Sequence, residues 1–305
     1  IIIIAYMDIN KGIIIVWPSH PDFKIIIEKE LTLQEFTIVE KKQIIVSPNF
    51  IKNILLEIHY GKQWWDDNIE TEYVKRIDTN NKTQLLHYLI IEKKDIHISL
   101  KGFKKQTREK YNIDKSYFHV SDPDCFKHLG KNCSCKCNKE EFNEEYDKHV
   151  TMLTHPNTMH FLQKATYKKK YNFYTYFNTY TNIILHNNID KDNFCIDNGG
   201  ILAAYGIRDT HDLDFLTAYT DTIQLRDPNI GCENKNHRLE YKRLGYSIKD
   251  IIDNPEHHFY HFGMKFMALH ILKKFKFNRT HTIGTGHIEI RQKDINDFKL
   301  IESYI

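Results

Sequence analysis

A run near residue 200 constrains this chain more than any other: Phe194-Cys195-Ile196-Asp197, then Asn198-Gly199-Gly200, then Ile201-Leu202-Ala203-Ala204-Tyr205. A short apolar run that stops at a glycine pair and continues in helix-forming residues predicts strand, tight turn and helix. After Arg208 come two aspartates one residue apart, Asp212 and Asp214, ahead of the apolar Phe215-Leu216, and they are expected on a strand. In a strand Asp212 and Asp214 share one face. Two carboxylates side by side repel unless a cation stands between them, and a hard ion such as Mg²⁺ or Mn²⁺ prefers oxygen ligands together with substrate phosphates. Glycines ahead of a helix N-terminus allow backbone N–H groups to come close to a phosphate. Taken together, these residues predict a site that moves a nucleotide or phosphate group.

The pattern of Gly199-Gly200, helix, Arg208 and Asp212-x-Asp214 resembles the nucleotidyltransferase superfamily, which has the fold of DNA polymerase β. Within it, the form is similar to two branches: abortive-infection toxins, and the LicD/fukutin-like group that decorates glycans with phosphorylated substituents. The resemblance implies an α/β (α+β) fold, with a mixed sheet flanked by helices in the C-terminal half. It also implies that Asp212 and Asp214 hold metal ions, that Gly199 and Gly200 cradle a triphosphate, and that a third carboxylate from a following strand completes the site. The implied reaction is metal-dependent nucleotidyl or phosphoryl transfer from an NTP or related phosphodiester donor, with two metals and in-line displacement. A glycan or sugar phosphate is the acceptor implied by the LicD-like branch, and RNA or a protein side chain by the toxin-like one. A binding module that keeps the fold without chemistry is the third reading, because fold alone does not settle function.

Among the downstream acids, Glu240 is the first choice for the third carboxylate, since Arg238-Leu239-Glu240-Tyr241 alternates like a strand; Asp221, Asp227, Glu233, Asp250 and Asp253 are the others. Arg208 either meets a phosphate or pairs with Asp212. Lys265 can reach a phosphate on its apolar stem. Lys273, Lys274, Lys276 and Arg279, followed by Arg291, Lys293 and Asp294, resemble the basic segment that closes these domains, so Lys293 is a further phosphate-binding candidate. Asp294 suits the first turn of a helix, with Ile295, Phe298 and Ile301 at helical spacing.

The chain has 305 residues, enough for two domains, which the sequence divides as an N-terminal mixed α/β domain over 1–150 and the transferase-like domain over 151–305. In the first, 12–17, 23–27, 36–39 and 43–46 read as strands, 51–58 as strand or short helix, 96–100 as a strand and 104–111 as a charged helix. In the second, a helix starts near Asn157 or Thr158 as N-cap, and Phe173, Phe177, Tyr180 and Ile184 form the buried stripe of another. Tyr167 to Tyr176 interleave with Lys168-Lys169-Lys170, a pattern that also suits single-stranded nucleic acid. His119, His155 and His160 read as structural histidines or site residues. Residues 254–266 read as the entry to a helix that runs through Ile271 and Phe275.

A net charge of +3, from 43 basic and 40 acidic residues, is too balanced to argue nucleic-acid binding by itself. No run approaches the roughly 18 apolar residues that a membrane span needs. Six cysteines are unevenly placed, unlike a small secreted disulfide scaffold, which points to a reducing cytoplasm. Four of them, Cys125, Cys133, Cys135 and Cys137, fit either a Zn²⁺ site, free thiols in a loop, or a disulfide.

Overall fold

The structure is a computed structural model, and it describes residues 10–60, 65–121, 139–186, 189–218, 235–281 and 291–305. The cysteine cluster lies outside the described residues, as do Asp221, Asp227 and Glu233. The chain divides into two compact units, Ile1–Leu153 and Thr154–Ile305. Both are mixed α/β, each built on a four-stranded sheet.

In the first unit, β1 (Lys11–Val16), β2 (Thr37–Val46), β3 (Gln84–Glu92) and β4 (Phe118–Val120) pair in the order β2-β3-β1-β4, antiparallel throughout. Its helices are α1 (Phe23–Leu33), α2 (Pro48–His59), α3 (Trp65–Val74), α4 (Ile96–Tyr111) and α5 (Lys139–Thr154), the last ending at the unit boundary. Ile14, Val16, Leu89 and Ile91 from the sheet meet Ile27, Leu31, Leu100 and Phe103 from α1 and α4 in one core. Residues 23–27 and 96–100 are helical, not the strands that their isoleucines predict. In each, the apolar residues continue at helical spacing into the charged segment that follows, so Ile27 with Leu31 and Ile96 with Leu100 form one buried face. The predicted strands at 36–39 and 43–46 are one strand, β2, which passes through an irregularity between Ile38 and Glu40. It is an edge strand, and its Glu40, Lys41 and Lys42 blunt that edge.

In the second unit, β5 (Phe194–Ile196), β6 (Phe215–Thr217), β7 (His258–His261) and β8 (Met264–Met267) lie in the order β6-β5-β8-β7. β5 is antiparallel to β6 and parallel to β8. The helices are α6 (Pro156–Lys164), α7 (Phe173–His186), α8 (Gly199–Ala204), α9 (Lys235–Arg243), α10 (Ile248–Asp253), α11 (Leu269–His281) and α12 (Gln292–Tyr304). Phe173, Phe177, Tyr180 and Ile184 are buried as the α7 spacing predicts, while Lys168, Lys169 and Lys170 precede the helix and are exposed. The N-cap of α6 is His155, whose Nδ1 accepts from the Thr158 N–H, rather than Asn157 or Thr158. Residues 258–267 form a hairpin in place of a helix entry: Phe262 (φ 49°) and Gly263 (φ 75°) both have positive φ, as a two-residue hairpin turn requires. Among the described residues no helix is long and apolar enough to cross a membrane.

Burial in this unit sets an acid limit on its stability. His258 is buried, and its Nδ1 faces the Ile251 carbonyl at 3.1 Å. Burial, opposed by that hydrogen bond and aided by the charge of Lys265, pushes its pKa down to about 4. The unfolded chain therefore binds a proton that the native chain refuses between about pH 6.5 and pH 4. Stability is fully present above that window and falls as pH drops through it. Urea unfolding at pH 7 and pH 4.5 is expected to show this loss, and His258→Asn, whose amide nitrogen can replace Nδ1, is expected to reduce it by about 1–3 kcal/mol. Identical pH dependence in the two proteins would contradict the assignment.

Candidate functional site

The register of β5 and β6 builds the centre of the site. Phe194 faces Thr217, Cys195 faces Leu216 and Ile196 faces Phe215, and the Asp197 N–H donates to the Asp214 carbonyl at 3.0 Å. Asp197 and Asp214 are thus the next opposed pair, one step beyond the paired residues. Like charges opposed across a ladder repel. Burial pushes both carboxyls up; the charge of Asp214 adds to this at Asp197, and that of Asp212 adds to it at Asp214. Lys276 acts against the rise at both residues, and Lys293 acts against it at Asp214. Asp197 is fully buried, Asp214 is half-buried and Asp212 is exposed. Asp212 and Asp214 do not lie in the strand as predicted; they occupy the approach to β6.

The turn that joins β5 to α8 is held by Asn198. Its backbone (φ 49°, ψ −122°) lies in a region that glycine favours and side-chain-bearing residues rarely enter. Its Nδ2 stands 3.3 Å from Asp197 Oδ2, 3.4 Å from Asp214 Oδ2 and 3.1 Å from His237 Nδ1. The Tyr241 hydroxyl donates to Asp197 Oδ2 at 3.0 Å. His237, on α9, is neutral at pH 7: burial, then the charges of Arg279 and Lys276, push its pKa down to about 4.

The glycine pair has a packing explanation. A Cβ on Gly199 would fall 2.5 Å from Thr210 Oγ1, and one on Gly200 would fall 2.7 Å from the Ile196 side chain and 3.0 Å from that of Leu213. Thr210 Oγ1 in turn donates to the Asp212 carbonyl at 2.9 Å and lies 3.1 Å from Asp212 Oδ1. Gly199 therefore lets Thr210 close against α8, and Thr210 fixes Asp212.

Around this centre runs a buried chain of ion pairs. Arg208 binds Asp297 through Nε at 2.6 Å and Nη2 at 2.9 Å, and also donates to the Asp209 carbonyl. Lys276 bridges Asp294 at 2.5 Å and Asp297 at 3.2 Å. Arg279 reaches Asp294 at 3.5 Å and Glu240 at 3.2 Å. At Asp297 burial pushes the pKa up, but the Arg208 hydrogen bonds and the Lys276 charge outweigh it and hold the carboxyl below the usual range. At Glu240 burial wins over Arg279, and the pKa rises.

Three sequence expectations change accordingly. Glu240 lies on helix α9 rather than a strand, and its partner is Arg279; the carboxylate opposite Asp214 is Asp197. The alternation at 238–241 misled because Glu240 is itself buried, so polarity did not mark the solvent face. Arg208 pairs with Asp297, not with Asp212. Lys265 sits on β8 with its ammonium bonded to the carbonyls of Asp192 (2.9 Å) and Ile252 (3.0 Å), which gives it a structural role in place of a phosphate contact. Asp294 is in the first turn of α12, yet it is buried against Lys276; the buried face of α12 carries Asp294, Asp297 and Ile301. Lys293 is exposed at the start of that helix.

Asp197, Asn198, His237 and Tyr241 escaped the sequence reading. The available signal was an Asp-Asn pair wedged between an apolar strand and the glycines, where neither a core nor a simple cap calls for a carboxylate. Among the described residues, no group of three or more His, Cys, Asp or Glu side chains is arranged to hold a metal ion as the side chains stand. No family model matches the chain, and no curated protein matches it.

Proposed function

We propose that the second unit is a metal-dependent nucleotidyl- or phosphoryl-group transferase, using an NTP or a related phosphodiester donor and a glycan or sugar-phosphate acceptor. The observation that carries this reading is the opposed pair of Asp197 and Asp214, with Asp212 alongside and the charges of Lys276 and Lys293 acting on Asp214. Carboxylates crowded at a strand end are costly unless they serve a cation. The donor atoms are oxygens, which suits Mg²⁺ or Mn²⁺, and Asp197 Oδ1 is buried without a hydrogen-bond partner. Asp212 and Asp214 are the residues that would hold the ion, which when bound would neutralise charge on the donor phosphates. Lys293, exposed at the start of α12 and acting by its charge on Asp214, would meet those phosphates, and Thr210 keeps the Asp212 carboxylate in position. The buried ion pairs keep α11 and α12 fixed, so that positioning and electrostatics supply the rate.

Thermal unfolding with each NTP, with and without Mg²⁺ or Mn²⁺, tests the proposal. At least one NTP is expected to raise the midpoint only when the metal is present, by about 5–10 °C at a hundredfold excess over Kd. Asp212→Asn and Asp214→Asn are expected to abolish the rise. No metal-dependent shift with any NTP, in folded protein, would remove the NTP reading and favour a phosphorylated-alcohol donor or a binding role without chemistry.

A further inference from the structure

Two oxygens near Asp214 lack what buried oxygens normally have. Asp197 Oδ1 and Asn198 Oδ1 are shut away from solvent, and neither has a hydrogen-bond partner. Asp197 is 0% exposed and Asn198 6%. A buried acceptor without a partner has given up water for nothing, and each such atom in a native fold calls for an explanation. The other halves of the same groups are fully engaged. Asp197 Oδ2 accepts from Tyr241 and Asn198, while Asn198 Nδ2 has three acceptors around it for two hydrogens. The nitrogen of Asn198 stands between two carboxylates, where positive potential is most favoured. An amide's orientation is assigned from its surroundings, and these surroundings select nitrogen as long as nothing else there is positive.

We propose that Asp197 and Asn198 join Asp214 as oxygen ligands of a divalent cation of the Mg²⁺ or Mn²⁺ class, the Asn198 amide turning about its Cβ–Cγ bond so that Oδ1 replaces Nδ2 when the cation arrives. This rests on the metal-dependent reading above and adds two residues to it. Asn198 Nδ2 already stands 3.3 Å from Asp197 Oδ2 and 3.4 Å from Asp214 Oδ2, so the turned Oδ1 would face both carboxylates. His237 can follow the turn without changing charge, because a neutral imidazole offers Nδ1 as acceptor in one tautomer and as donor in the other.

Mn²⁺ binding to the full chain, followed by the electron paramagnetic resonance signal of the free ion, tests the proposal in four variants. Asp197→Asn and Asn198→Gly are expected to weaken Mn²⁺ binding tenfold or more. Glycine suits the backbone at this position, so Asn198→Gly keeps the fold, which circular dichroism and the thermal midpoint check. Asn198→Asp is expected to bind Mn²⁺ at least as tightly as the unaltered protein, since an oxygen ligand is retained although the N–H donor is lost. If Asp214→Asn abolishes binding while Asp197→Asn and Asn198→Gly bind normally, the two added ligands are wrong and the transferase reading stands. If Asn198→Asp loses binding as Asn198→Gly does, Asn198 acts as a donor and the amide turn is wrong. If the unaltered protein takes up no Mn²⁺, with or without an NTP, both readings fall. Should Asp197→Asn fail to fold, the two Asn198 variants decide.

Discussion

Replacing Lys276 with methionine is expected to lower the stability of the second unit by about 3–5 kcal/mol, because it leaves buried carboxylates short of a counter-charge. Lys276 is 3% exposed and lies between Asp294 and Asp297, themselves 3% and 1% exposed. Methionine fills the space but supplies no charge. Arg279 and Arg208 remain as partners, yet Arg279 is 3.5 Å from Asp294 and already shared with Glu240. Urea unfolding at pH 7 gives the loss directly. Adding Asp294→Asn to Lys276→Met is expected to recover part of it, since one of the two buried carboxylates left without Lys276 loses its charge. A loss below about 1 kcal/mol would mean that water screens the network in solution.

Gly206→Ala is expected to cost a comparable amount, about 2–5 kcal/mol, from left-handed strain and overpacking together. Gly206 ends the segment after α8 with φ 75°, and a Cβ there would fall 1.9 Å from the Thr166 carbonyl oxygen. That oxygen belongs to backbone, and the Thr166 N–H is itself bonded to the Tyr205 carbonyl at 3.0 Å. The two strands of chain therefore cannot part without breaking that bond. Gly245, at φ 87° with open space where a Cβ would go, is the internal control: Gly245→Ala carries the strain without the clash and is expected to cost about 1–2 kcal/mol. Equal losses in the two variants would show that close packing at Gly206 is not the reason for glycine there.

These two glycines also show what a sequence can and cannot disclose. A local pattern discloses local structure. The α7 stripe, β1, and the strand–glycine–helix order at β5 and α8 were all legible because each is decided within one element. The hairpin at 258–267 was not, because its turn residues, Phe262 and Gly263, do not form one of the usual hairpin dipeptides. The helical starts at 23–27 and 96–100 were missed because isoleucine-rich segments favour strands, and burial against the sheet overrode that preference, while 104–111 was legible as a charged helix. At the site, Asp212 and Asp214 stood out by spacing. Asp197 did not, since its role comes from the register between β5 and β6, which no single segment contains. Arg208 was visible as a cation, but its partner lies 89 residues later in the chain. Glu240 reads as a strand carboxylate and Asp294 as a residue of a helix's first turn, and neither reading carries an ion-pair partner. Only the folded arrangement shows that they are buried against Lys276 and Arg279.

The distance along the chain from Arg208 to Asp297 has a consequence for how the protein comes into being. The loop carrying Asp212 and Asp214 is complete in sequence long before α12 exists. During synthesis Arg208 then has no Asp297, and Lys276 and Arg279 have no Asp294. Each is a cation that cannot be buried alone. Burial of Arg208, Lys276 and Arg279 therefore has to follow the synthesis of α12, which carries the acids that they pair with. Synthesis of α12, rather than of the motif itself, sets the moment at which these cations can all find their partners.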